Sequence, residues 1–369
     1  MKVVISGYIG KKITGIGRNL ICLLDNDSSN NQYIIYTNQD MAADFNFKNQ
    51  NVIIKTYPIS KLDSFKNLLW TTFVFPFMAL KEKADMALIP NFTLLLFKFV
   101  KTTVIMHDLI EFNVPDKFSK NKMFYRTKLA DPITARVADK IITVSINSKN
   151  DLMKFLKVRE DKISVIYNGV DQEKFCKMEF SLVREILLKR NWPEKYMLYA
   201  GTIDHPGKNA ITVIKVFENL RKKGLYFGKL ILAGMPGAGF EYIEKYVAES
   251  DYKAEIIIAG FVSDDELVAL YSNCDVFVFI SLYEGFGIPP LEALACGAKV
   301  VTSSTSSLPE VVGKVGWSAA PENIDDVELK VLEALRFDID ETYEKNVKMH
   351  LKKYNWKELA KQFIQALEN

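Results

Sequence analysis

Two doubly wound α/β domains are the architecture that this 369-residue chain predicts. Three observations point there. At roughly 150 residues per domain, the length suits two domains with a core each. Short apolar runs rich in β-branched residues recur along the chain, with longer helical segments between them. The runs are continuous rather than alternating, the pattern of strands buried on both faces of a parallel sheet.

In the first domain the runs are KVVISG (2–7), QYIIYTN (32–38), NVIIKTY (51–57), ADMALIP (84–90), TTVIMHD (102–108), KIITVS (140–145) and KISVIYNGV (162–170). In the second they are YMLYAGT (196–202), KLILAG (229–234), EIIIAGF (255–261), CDVFVFIS (274–281) and AKVVTS (298–303). The segment 171–195 between them carries one helical pattern and no strand signal, which puts the boundary near Gln172. The expected domains are 1–172 and 173–349. A helical stretch near 343–369, broken at Asn355-Trp356, leaves a last helix, about 350–369, to pack back on the first domain.

Composition excludes several classes. With 49% hydrophobic and 25% charged residues and a net charge of +3, the chain reads as soluble and globular, with no polycationic footprint for nucleic acid. Cys22, Cys176, Cys274 and Cys296 stand far apart, so neither a disulfide framework nor a zinc knuckle is expected, and a reducing cytoplasmic setting is. The apolar start is too short for a secretory signal. LLWTTFVFPFMAL (68–80) contains Pro76 and is shorter than the roughly 20 residues that span a bilayer, so it is expected as a buried or interfacial helix. The charge is uneven. Residues 1–172 hold 24 Lys and Arg against 16 Asp and Glu, a balance of +8, and the remainder balances at -5. Such asymmetry suits halves that meet different partners.

Ligands of open α/β sheets bind outside the carboxyl ends of the strands, so a cleft between two such domains is the expected active site. The richest segment is ISLYEGFGIPPLEALACGAKVVTSSTSSLPEVV (280–312). A strand ends near Ser281, Pro289-Pro290 open a helix and Gly297 closes it. Amides of Phe286, Gly287 and Ile288 at that helix end form an anion site. Glu284 precedes it and Glu292 is expected in the first turn. Two carboxylates beside a phosphate site suit a nucleotide-sugar, one for the hexose and one for the ribose. Read singly, Glu292 complements the helix dipole and Glu284 is a solvated loop residue.

The spacing of Glu284 and Glu292 within EGFGIPPLEALACG resembles the E-x7-E signature of retaining GT-B glycosyltransferases of family 4. The resemblance extends through TGIGRN (14–19), MHDL (106–109), TVSINSKNDL (143–152), ISVIYNGVD (163–171), LYAGTIDHPGKN (198–209) and GFVSDDELVALYSNCDVFV (260–278), most of the chain. It implies a GT-B fold of two Rossmann-like domains, with the acceptor held by the first and the nucleotide-sugar by the second. Glu284 then contacts the transferred sugar, helped by the amides of Phe286, Gly287 and Ile288, and Glu292 holds the ribose. Phe261 and Val262 line the base pocket, Asp264 and Asp265 cap a helix, and Lys208 meets the departing diphosphate. Gly207 stands where relatives often carry arginine, and His205 or Arg18 are candidates to compensate. Gly15 and Gly17 bring backbone near the donor phosphates, with Thr14 in place of the loop's first glycine. His107 hydrogen-bonds the donor sugar, and Ser145 lines the cleft.

No metal or other cofactor is expected, the nucleotide-sugar being substrate. The tripeptides Asp25-Asn26-Asp27 and Asp338-Ile339-Asp340 are read as turn and capping residues rather than metal ligands. The resemblance further implies a saccharide acceptor, lipid-linked in many relatives, in surface-polysaccharide synthesis (O-antigen or capsule), with mannose as first candidate. Lys117, Lys120, Lys122, Arg126 and Lys128 beside Phe118, Phe124 and Tyr125 offer a basic face for peripheral contact with an anionic membrane, or simply a solvated helix. A sugar-nucleotide epimerase, a glycogen-type synthase and an inactive scaffold on the same fold stay open.

Overall fold

A computed structural model describes the whole chain except residues 11, 12, 14, 92, 115–118 and 369. The chain forms two compact units, Met1–Gly169 with Trp356–Asn369, and Val170–Asn355.

The first unit carries a parallel sheet of β1 (Lys2–Ser6), β2 (Gln32–Asn38), β3 (Val52–Tyr57), β4 (Met86–Ile89), β5 (Lys101–Ile105), β6 (Lys140–Thr143) and β7 (Ile163–Val165), in the order β3-β2-β1-β4-β5-β6-β7. Period-two geometry explains the unbroken apolar strands. Val3 and Ile5 join one core with Leu20, Leu24 and Phe363, while Val4 joins the core on the opposite face with Phe75, Ala79 and Leu152. The helix Trp356–Glu368 therefore belongs to this unit, where it packs beside the helix Gly15–Asp25.

In the second unit β8 (Tyr196–Ala200), β9 (Lys229–Ala233), β10 (Ile256–Gly260), β11 (Val276–Phe279), β12 (Val300–Ser303) and β13 (Trp317–Ala319) form a parallel sheet in the order β10-β9-β8-β11-β12-β13. Strand β13 is absent from the sequence reading. It is a three-residue edge strand, WSA, too short and too polar to make an apolar run. This unit extends to Asn355 rather than stopping at 349, because Tyr354 is buried in it and donates its hydroxyl to the Glu310 carbonyl at 2.8 Å.

The segment expected as one apolar helix at 68–80 is three pieces: Ser64–Leu69, a π-helical turn Trp70–Val74, and Phe75–Lys81. Pro76 has no N–H for the Thr72 carbonyl, and the ladder shifts just before it, with Phe75 N–H bonding Trp70 O. Pro132 repeats the device, since Tyr125–Ala130 is π-helical and Asp131 N–H reaches Arg126 O. Among the described residues no helix is long and apolar enough to cross a membrane.

Candidate active site

In the second unit the strand order reverses between β8 and β11, the topological switch point outside which doubly wound sheets bind ligands. The loop leaving β8 carries Lys208 and the loop leaving β11 carries Glu284. Lys208 Nζ donates to both carboxylate oxygens of Glu284, at 2.6 and 2.8 Å. With side-chain exposures of 28% and 12%, the pair is only partly screened by solvent. The ammonium also stands 5.7 Å from the centroid of the Phe279 ring.

Backbone and serine contacts fix this meeting. The carbonyl of buried Gly207 accepts from Leu282 N–H at 2.9 Å and from Ser281 Oγ at 3.1 Å, tying one loop to the other. Ser306 Oγ accepts from the Glu284 amide at 3.1 Å, and Ser307 Oγ donates to the carbonyls of Glu284 and Phe286 at 2.9 and 2.6 Å. Sequence reasoning missed these serines as positioning groups. Their one signal is a run of hydroxyl residues, SSTSS, directly after a buried strand. His205 stacks on Tyr242 with centroids 4.9 Å apart, and Arg18 lies exposed on a first-unit helix; neither pairs with Glu284 in the bonds described.

The helix Ile288–Ala295 starts at Gly287, whose φ of 109° and whose approach to Leu308 exclude a side chain; a Cβ there would lie 2.5 Å from Leu308 Cδ2. Pro289 and Pro290 lack N–H groups, so Gly287 and Ile288 supply backbone donors at this end. Glu292 is in the second turn, not the first as expected, because the helix begins one residue ahead of the prolines. It lies beside the buried hydroxyl of Tyr271, whose pKa is raised by burial and then by the Glu292 charge. Phe261 is 72% exposed and Val262 half-buried at the turn after β10. The cap of the following helix is Ser263, not Asp264 or Asp265. Its hydroxyl accepts from the Glu266 amide while the Glu266 carboxylate accepts from the Ser263 amide, a reciprocal capping box.

The remaining candidates belong to the first unit. Gly15 opens a helix and is exposed, whereas Gly17 is buried within that helix, where a Cβ would lie 2.3 Å from Ile9 Cδ1. Close packing thus accounts for Gly17 in place of the loop glycine expected, while Thr14 lies outside the described residues. Next to it, Asn19 donates to Asn168 at 2.6 Å in a buried amide pair that joins the TGIGRN and ISVIYNGVD segments. His107 follows β5, buried, with Nε2 3.1 Å from Pro90 O. Burial lowers its pKa to about 4, so the ring is neutral at pH 7 and Nε2 is the donor. Ser145 is fully buried and caps the helix Ile146–Leu156 rather than presenting a hydroxyl to a ligand.

Of the basic face, Lys117 and Phe118 lie outside the described residues. Lys120, Lys122, Lys128 and Phe124 are exposed, but Arg126 turns inward to meet Glu111 at 3.3 Å. Asp340 caps a helix and Asp27 holds a turn through Ser29 and Tyr33, as read from the sequence.

Comparison with known proteins fits this geometry. Residues 187–349 match the model of the glycosyl transferases group 1, and residues 28–174 match that of Glycosyltransferase Family 4. The chain belongs to the family 4 glycosyltransferases. The serotype-specific mannosyltransferase WbdA of Escherichia coli is 30% identical over 70% of this chain, and the O-antigen chain mannosyltransferase B of the same organism is 29% identical over 68%. The match spans 32% of WbdA and 65% of the second relative, so the chain covers about a third of the first relative's length. Sucrose-phosphate synthase from Thermosynechococcus elongatus shares the fold at a TM-score of 0.75, with 18% identity over 99% of this chain and 97% of that one. The two parallel-sheet units are thus the two halves of a GT-B fold.

Proposed function

We propose that this family 4 member is a retaining hexosyltransferase that moves a sugar, mannose as first candidate, from a nucleoside-diphosphate sugar to a saccharide acceptor. The observation that carries the reading is the Lys208–Glu284 pair at the switch point, beside the start of the helix Ile288–Ala295. Glu284 accepts hydroxyls of the transferred hexose, and Glu292 those of the ribose. The exposed face of Phe261 with Val262 receives the base. Negative charge develops on the diphosphate as it leaves, and Lys208 with the Gly287 and Ile288 amides stabilises it. In the unliganded protein the two side chains neutralise each other, so donor binding exchanges one ion pair for two ligand contacts. No side chain serves as nucleophile. The acceptor attacks on the face that the diphosphate leaves, and its proton passes to the departing phosphate. The protein contributes orientation and charge, with no metal or other cofactor called for.

In this reading the first unit, which carries His107 and Gly15, holds the acceptor. The two E. coli relatives are named as mannosyltransferases, one of them of the O-antigen chain, which supports mannose and a surface-polysaccharide acceptor; a lipid-linked acceptor met at the cytoplasmic face of the membrane belongs to the same reading. Glu284→Ala and Lys208→Ala test the assignment. Each is expected to lower transfer about 10²- to 10³-fold, the usual effect of losing one fixed group that stabilises developing charge. If both folded variants transfer at the native rate, the site is elsewhere. A panel of nucleotide-sugars with thermal unfolding as the readout names the donor, since a bound ligand raises stability by RT ln(1 + [L]/Kd). Activity persisting in a chelator is expected as well.

A further inference from the structure

The loop that carries the amides of Phe286, Gly287 and Ile288 is shaped from outside. Leu308 packs on Gly287, and Ser307 Oγ binds the carbonyls of Glu284 and Phe286. Both contacts come from the start of one helix, Leu308–Val312, which has only five residues. A helix so short makes few internal bonds, so its last carbonyls need partners from elsewhere. Two of them find side chains in the segment that closes the second unit. Tyr354 donates its hydroxyl to Glu310 O at 2.8 Å, and His350 Nε2 donates to Val311 O at 2.7 Å. Tyr354 also reaches the loop directly. The residue is 1% exposed, and its ring meets the Phe286 ring edge-on with centroids 5.8 Å apart. Its carbonyl accepts from Val170 N–H at 3.0 Å, so the residues where the unit begins and ends are bonded to each other. One buried tyrosine thus touches the donor loop by its ring, the helix behind that loop by its hydroxyl, and the start of the unit by its main chain.

We infer that Tyr354 is a positioning residue of the donor site: it fixes where the amides of Phe286, Gly287 and Ile288 point, and so sets affinity for the β-phosphate that they hold. The inference rests on the proposed donor site and extends it to a residue that acts only through others. Backbone N–H groups are dipoles whose worth to an anion depends on direction, and ordering them in advance spares that cost when the ligand arrives. Gly287 makes the need plain, since its φ of 109° lies where the backbone has little preference of its own. Without the Tyr354 hydroxyl, the Glu310 carbonyl loses this partner and Leu308–Val312 loses one of the two side chains that tie down its end. The shift then passes through Ser307 and Leu308 to the loop. The ring contact with Phe286 is a second route to the same place, and it survives removal of the hydroxyl alone.

Tyr354→Phe deletes the hydroxyl and keeps the ring against Phe286. Calorimetric binding of GDP, UDP and ADP to the full chain, each compared with its monophosphate, reads the effect, because the monophosphate lacks the β-phosphate. The diphosphate that binds the native chain is expected to weaken about three- to tenfold in Tyr354→Phe, the reach of one hydrogen bond, while its monophosphate stays within about twofold. Tyr343→Phe is the control. Its hydroxyl donates at 2.8 Å to Val315 O, in the turn directly after the same short helix, so the variant loses an equal bond beyond the part that holds the loop. It is expected to lower the unfolding midpoint about as much as Tyr354→Phe does and to leave diphosphate affinity unchanged. Native diphosphate affinity in Tyr354→Phe overturns the inference. So does an equal loss for the monophosphate, or an equal loss in Tyr343→Phe, either of which marks a general structural role. A native chain that binds none of the three diphosphates rejects the donor site itself, and the inference falls with it.

Discussion

Glu284 and Lys208 lie far apart in sequence and meet only because two loops leave adjacent strands at the point where the sheet changes direction. Each is partly withdrawn from solvent, so removing either leaves a charge with less water to solvate it. A double-mutant cycle is expected to show coupling of about 0.5–3 kcal/mol between them, the range for side chains in contact. Additive unfolding free energies would show that the pair forms no energetic unit. His107 yields a pH prediction. Its imidazole protonates near 6.5 when unfolded and near 4 when folded, so between those values the unfolded state binds more protons. Stability is therefore full above about pH 6.5 and falls toward pH 4, by on the order of 3 kcal/mol from this group. His350, lowered by burial with a smaller contribution from Lys353, acts in the same direction. His107→Gln is expected to flatten the dependence of the unfolding midpoint between pH 4 and 7, leaving the His350 share. An unaltered slope would place His107 in solvent contact. The glutamates, Lys208 and His107 were legible as residues because their motifs are local. Ser281, Ser306 and Ser307 were not, since a serine that braces a distant backbone has no spacing rule.

Twelve of the strands were legible as apolar runs, because burial on both faces demands them. The thirteenth, β13, lies at an edge with three residues and gives no such demand. Prolines 76 and 132 were visible in the sequence, but the π turns they induce depend on how each helix is pressed against its sheet. The last helix shows what packing adds. Phe363 is fully buried against the core that holds Leu20 and Leu24, and Gly169 lies so close to the Trp356 indole that a Cβ would fall 2.5 Å from it. Phe363→Ala is expected to cost the first unit about 3–5 kcal/mol in urea unfolding, the range for a buried phenylalanine. A loss below about 1 kcal/mol would show that the helix adds little to that core.

Across the molecule, the sequence's charge asymmetry acquires a place in the fold. The first unit carries the excess of positive charge, and the chain from Ser64 to Lys81 turns polar residues inward: Asn67, Thr71 and Thr72 are buried while Phe65, Leu69, Phe73 and Phe77 are exposed. Phe77 packs at 4.7 Å on Phe99, itself exposed, so the outer face is a continuous aromatic surface. This face, rather than the 117–128 cluster, is the better support for peripheral membrane contact, because apolar area supplies affinity that exposed lysines alone do not. Flotation with anionic vesicles is expected to carry the native chain, less so at high salt, and the double variant Phe73→Ser and Phe77→Ser is expected to lose roughly tenfold or more per phenylalanine in partitioning. Equal flotation of the variant would remove this face from consideration. Sequence by itself determined two doubly wound domains and the family, and singled out the glutamates, lysine and histidine as candidates, since hydrophobic period and short motifs are properties of neighbouring residues. Tertiary structure alone decided that Lys208 pairs with Glu284 and that Arg126 turns inward to meet Glu111. Those outcomes depend on which strands lie side by side and where water is excluded, and neither is written in any local stretch of the chain.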